Sequence, residues 1–106
     1  MRSKSQNRDL SAILALKAAR SILGLTQDEV AELSGVAKPT IARLETLIGK
    51  SNFSTISTLL SVYREKGIEI SDVTAGDVSI KITAEAVEFA AENMTKTSRR
   101  RSDFLK

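Results

Sequence analysis

Apolar positions recur at helical spacing through the first two-thirds of the chain and alternate thereafter. Leu16, Ala19 and Leu23 fall on one face with Ile13 beside them, predicting a helix from about Leu10 to Leu23. A second helix is predicted from Thr26. The run Thr26-Gln27-Asp28-Glu29 has capping-box form, in which the threonine hydroxyl and the glutamate carboxylate each take a free amide of the first turn. Val30, Ala31 and Leu33 are expected to face inward, and Gly35 to end the helix. A third helix is predicted from about Ala37 or Lys38, with Pro39 tolerated in its first turn and Ile41, Leu44 and Ile48 as its apolar stripe. A fourth should run from about Ser54 to Lys66, burying Ile56, Leu59, Leu60 and Tyr63. After Gly67 the period falls to two. Ile68 and Ile70, then Val78, Ile80 and Ile82, alternate with polar residues around Ala75-Gly76-Asp77, the pattern of a β-hairpin that Val73 fits poorly. Thr83 is placed to cap a last, short helix to about Met94, with Val87, Ala90, Ala91 and Met94 on one side. Residues 96–106 show no periodicity and are expected to be disordered.

A chain of 106 residues suits one domain. The partition expected is a basic flexible N-terminus over 1–9, a helical unit over 10–67, a hairpin plus helix over 68–95 and a basic tail over 96–106. The chain has neither cysteine nor histidine, which removes disulfides, thiolate or imidazole metal sites, and Cys-His or Ser-His catalysis. No enzyme, metal or other cofactor is expected. No apolar run is long enough to span a membrane. The polar, basic start lacks the apolar core of a signal peptide, so a cytoplasmic, nucleoid-associated location is expected.

Charge changes this picture through its placement. Residues 67–95 hold one basic and six acidic side chains, whereas residues 96–106 hold five basic and one acidic. Basic segments can meet phosphate and the acidic one should not. The run Arg99-Arg100-Arg101 reads equally as a solvated tail or as an arm on DNA. Tyr63 and Phe53 read as core, since the aromatic interleaving of single-strand binders is missing.

The candidate chemistry lies in residues 25–45, LTQDEVAELSGVAKPTIARLE. Ala31 is small where two helices cross closely, Gly35 permits a left-handed turn, and Val36 plugs that turn. With Ile41 and Leu44 inward, Lys38, Pro39, Thr40 and Arg43 are left on the outer face of the third helix. A helix held at a wide angle, with its N-terminal residues outward, suits the DNA major groove.

These residues resemble the helix-turn-helix of the phage-repressor (Cro, lambda-repressor, Xre) family. The matching stretches are LKAARSILGLTQDEVAELSGV and KPTIARLE, and the resemblance extends over roughly residues 10–66. It implies a mainly α fold, a four- to five-helix lambda-repressor-like domain, here followed by the hairpin and a final short helix. It implies base-edge contacts from Lys38, Pro39, Thr40 and Arg43, and phosphate contacts from Gln27, Lys50, Ser51 and Asn52. Arg20 and Glu45 match a structural ion pair that orients the third helix. Ala37 departs from the pattern, standing where a hydroxyl residue often caps that helix. Pro39 is unusual on a reading face, and Thr46-Leu47-Ile48 replaces a shorter polar turn.

The expected function is a sequence-specific double-stranded DNA-binding transcriptional regulator, a repressor bound as a homodimer to a palindromic operator. Ile68, Ile70, Val78, Ile80, Ile82, Val87, Ala90 and Met94 are expected to form the dimer interface, as a two-stranded hairpin is marginal alone. The alternative is an antitoxin that autoregulates its operon and binds a toxin partner through its C-terminal part. A third reading, a non-DNA adaptor on the same helical core, fails if a duplex sequence is bound specifically.

Overall fold

The computed structural model describes residues 4–46, 52–71 and 77–105, with side chains over 10–46, 52–71 and 77–95. Among these residues the order is α1 (Lys4–Leu23), α2 (Gln27–Ser34), α3 (Lys38–Glu45), α4 (Phe53–Glu65), β1 (Ile68–Ser71), β2 (Ser79–Ile82) and α5 (Ala84–Leu105). The mainly α fold with a hairpin before its last helix is as the apolar pattern requires.

α1 is the central element and packs against α3, α4 and α5. Its face of Leu16, Ala19 and Leu23 is buried, joined by Ala12, Ile13 and Ala15. Val30 of α2, Ile41 and Leu44 of α3, and Ile56, Leu59 and Tyr63 of α4 close the same cluster. Burying such side chains contributes about 1.5–3 kcal/mol each, which is what holds short helices that would not persist alone.

The hairpin pairs antiparallel, Ile68 opposite Ile82 and Ile70 opposite Ile80. β1 lies against α4, and β2 is exposed along its length. The strand-to-helix joint turns on Gly67, whose φ of +98° favours glycine. Its carbonyl accepts from the Thr83 amide at 3.1 Å and the Thr83 hydroxyl at 2.7 Å. The same hydroxyl oxygen accepts from the Ala86 amide at 3.3 Å, so Thr83 caps α5 as expected.

Several expectations are corrected. α1 begins at Lys4, inside the segment expected to be flexible. α5 is not short: it has 22 residues and runs to Leu105, through the stretch expected to be disordered. Periodicity missed both extensions because helix needs only backbone-compatible residues, and these stretches contain no Pro or Gly. Leu33 and Phe53 are exposed, Phe53 at 73%. Ile68 is 1% exposed within its own chain, so it serves the core and leaves the expected dimer surface. Ile70 is half-buried against that core, and Ile80, Ile82, Val87 and Met94 are exposed. Ile48, Val73 and the hairpin turn lie outside the described residues.

Candidate nucleic-acid interface

The α2–α3 unit is built by local bonds that its sequence specifies. The Thr26 hydroxyl accepts from the Glu29 amide at 3.1 Å, and the Glu29 carboxylate accepts from the Thr26 amide at 2.9 Å. This capping box gives α2 a sharp start. At its end Gly35, φ +76°, donates its amide to the Ala31 carbonyl at 2.9 Å. That left-handed residue turns the chain into α3, and Val36 packs against the core from the turn. Ala37 caps α3 without a side-chain hydrogen bond, as its missing hydroxyl dictates. Pro39 occupies the first turn, where an absent N–H costs nothing.

α3 divides by face. Ile41, Leu44 and Glu45 point inward and are buried. Lys38, Pro39, Thr40 and Arg43 are exposed together on the opposite face. Lys38 Nζ lies 3.3 Å from an Asp28 carboxylate oxygen, both side chains largely in solvent. Such an exposed pair is worth little and yields readily to a phosphate or a base edge. Arg43 has no side-chain partner among the described residues.

Behind this face sits a charge network. Arg20 Nε and Nη2 donate to the two Glu45 carboxylate oxygens at 2.8 and 2.7 Å, and Nη1 donates to the Leu25 carbonyl at 2.9 Å. Gln27 Nε2 donates to Glu45 Oε1 at 3.1 Å. Burial alone would raise the Glu45 carboxyl. The hydrogen bonds from Arg20 and Gln27, with the positive charges of Arg20 and Lys17, outweigh it and hold the group below the usual carboxylate range. The Glu45 hydrogen bond in turn raises Arg20, against the opposing effect of burial. The forked bond spans α1 and α3, so it locks the recognition helix to the central helix.

The sequence-predicted ion pair is therefore formed. Gln27, expected on phosphate, spends one of its two amide hydrogens on Glu45, an attachment that spacing alone does not reveal. Asn52 caps α4, its Oδ1 accepting from the Ser54 amide at 2.8 Å, which leaves its amide group directed to no described partner. Lys50 and Ser51 lie outside the described residues. Sequence reasoning also missed Asn93. It is buried on α5 and donates to the Leu23 carbonyl at 3.1 Å and to that of Gly24, closing the C-terminal end of α1. A lone asparagine on a helix carries no signal of such a role.

A capped helix, a glycine turn and a second helix with a polar outer face define a helix-turn-helix DNA-binding unit. A helix-turn-helix family profile matches residues 16–70, just over half of the chain. The chain belongs to the helix-turn-helix family of phage-repressor type, whose members are DNA-binding regulators and not enzymes. No curated protein and no solved structure showed a significant match to it. Among the described residues, no helix is long and apolar enough to cross a membrane.

Proposed function

We propose that the protein is a repressor that binds a palindromic operator as a homodimer, with α3 of each copy in a major groove. The observation that carries this reading is the division of α3. Its inner face is held by Ile41, Leu44 and the Arg20–Glu45 fork, while Lys38, Thr40 and Arg43 stand exposed on the outer face. A rigid helix presenting two cations and a hydroxyl supplies donors for base edges without the cost of ordering a loop.

In this reading Arg43 forks onto the O6 and N7 of a guanine. Lys38 and Thr40 reach neighbouring bases, and Pro39 makes apolar contact. Asn52, Gln27 through its second amide hydrogen, Lys50 and Ser51 hold phosphates. One such unit reads few base pairs, and two-fold symmetry doubles the information, with recognition helices about 34 Å apart. Ile70, Val78, Ile80, Ile82, Val87, Ala90 and Met94 supply the apolar surface for pairing.

The test is Arg43→Ala on a duplex selected from a random pool and on an unrelated duplex. Loss of a bidentate base contact lowers specific affinity by about 1–3 kcal/mol and relaxes choice at one base pair. Equal weakening on both duplexes makes Arg43 a phosphate contact and removes it from the reading face.

A further inference from the structure

The turn between α1 and α2 is held from outside the stretch that the family profile matches. α5 lies beyond residue 70, where that match ends, yet it packs against α1. Its Asn93 is 5% exposed, and its amide group donates to two consecutive carbonyls, that of Leu23 at 3.1 Å and that of Gly24. The approach is close. A Cβ on Gly24 would lie 3.4 Å from Asn93 Nδ2 and 3.6 Å from Met94 Cγ, and the φ of +71° favours glycine in any case. The next carbonyl, that of Leu25, accepts from Arg20 Nη1 at 2.9 Å. Two side chains, one from α5 and one from α1, thus fix three successive carbonyls of the turn.

Arg20 is where this turn meets the recognition helix. Its other donors form the fork on Glu45 of α3, and Gln27, the first residue of α2, donates to the same carboxylate. A continuous line of hydrogen bonds and backbone therefore runs from α5 through Asn93, the turn and Arg20 to α3. We propose that Asn93 is a positioning residue for DNA recognition. Its carboxamide docks α5 on the α1–α2 turn, and the docked turn sets the start of α2 and, through Arg20, the angle at which α3 meets the groove. This inference rests on the reading of α3 as the helix that contacts bases. Operator binding then depends on a side chain that lies outside the helix-turn-helix and behind its reading face.

A carboxamide suits this task because both bonds need a donor. Asn93→Leu keeps the size of the side chain and removes both bonds, leaving the two carbonyls without that donor. Asn93→Asp keeps the shape and makes the dependence on a donor visible. A carboxylate there repels the carbonyl oxygens, whereas its protonated form donates through O–H and remakes one of the two bonds. The surroundings raise such a carboxyl above the ordinary aspartate value. The position is buried, and Glu29 and Glu32 of α2 and Glu92 of α5 line the same cleft, opposed by Lys66 at the end of α4. Arg20, across the turn, is already paired with Glu45.

The experiment measures binding of the full-length wild type, Asn93→Leu and Asn93→Asp to a duplex selected from a random pool and to an unrelated duplex. It is run at about pH 7.5 and about pH 5.5, with affinities expressed per folded chain from circular dichroism. An undocked turn leaves fewer chains with α3 in place, and the apparent affinity falls by that fraction. At the higher pH both variants should bind the selected duplex on the order of tenfold more weakly, while the unrelated duplex, held through phosphates, changes by less than about twofold. On acidification Asn93→Asp should regain affinity for the selected duplex relative to the wild type, and Asn93→Leu should not. Amide hydrogen exchange reads the path itself: protection of Leu25, Glu29 and Val30 should fall in both variants at the higher pH, with α4 still protected. Variants that match the wild type per folded chain overturn the role of Asn93 and leave α3 as the reading helix. Equal loss on both duplexes, or an Asn93→Asp chain that acid does not restore, overturns it as well. A wild type that prefers no duplex sequence sinks the reading of α3 itself.

Discussion

Replacing Arg20 by methionine isolates the network behind the recognition helix, because methionine keeps the apolar stem and removes only the guanidinium. Three donors are lost: two to Glu45 at 2.8 and 2.7 Å and one to the Leu25 carbonyl at 2.9 Å. What remains is a carboxylate on a residue only 5% exposed, with Gln27 as its one described hydrogen-bond donor. Breaking a fully buried pair costs about 3–5 kcal/mol. The Arg20 side chain is itself 21% exposed, so water screens part of the charge, and about 2–3 kcal/mol is expected here. For a domain of this size that is a fall in melting temperature of about 10–20 °C. The sign of the pH dependence is a second check. Glu45 is held below its ordinary value in the folded chain, so its pair stabilises fully above about pH 4.3 and less as pH falls through the lower folded value. The deficit of Arg20→Met should therefore shrink on acidification. The assay is urea unfolding followed by circular dichroism at pH 7 and again below pH 4, with Glu45→Leu and the double variant completing a cycle. The double variant should be milder than the sum of the single ones. Simple additivity, or a deficit unchanged by acid, would refute the account.

Three further substitutions test the core and the turns. The Tyr63 hydroxyl is buried with no hydrogen-bond partner among the described residues, and burial raises its pKa well above the ordinary tyrosine value. Tyr63→Phe should therefore leave stability unchanged or raise it by up to about 1 kcal/mol, and a loss of more than that in urea unfolding would reveal a bond the fold depends on. Gly67→Ala should be far costlier than Gly35→Ala, although both have positive φ. A Cβ at 67 would strike the Thr83 hydroxyl and lie 2.6 Å from the Ala86 amide nitrogen, whereas one at 35 meets nothing within 4 Å. Expected losses are about 3 kcal/mol and about 1 kcal/mol, and equal melting temperatures for the two variants would contradict this ranking.

Much of the recognition unit is local, and local features are legible in a sequence. The capping box at Thr26 and Glu29, the left-handed Gly35 and the inward spacing of Ile41 and Leu44 concern residues within a turn or two of one another. Backbone sterics and helical period are enough to determine them. The sides of α3 could be assigned for the same reason. The Arg20–Glu45 pair, far apart in the chain, became visible only through the family resemblance, since no period links two helices.

Tertiary structure decided which apolar faces find a partner inside the chain. Alternation treats Ile68 and Ile82 alike, yet β1 lies against α4 and buries Ile68, while β2 is the outer strand and leaves Ile82 exposed. An apolar residue at the edge of a period is inside or outside according to what packs over it, which is why Leu33 and Phe53 emerge in solvent. The same holds for polar groups. Gln27 turns to Glu45 and Asn93 to the end of α1, because a hydrogen bond between distant segments exists only once the helices have docked.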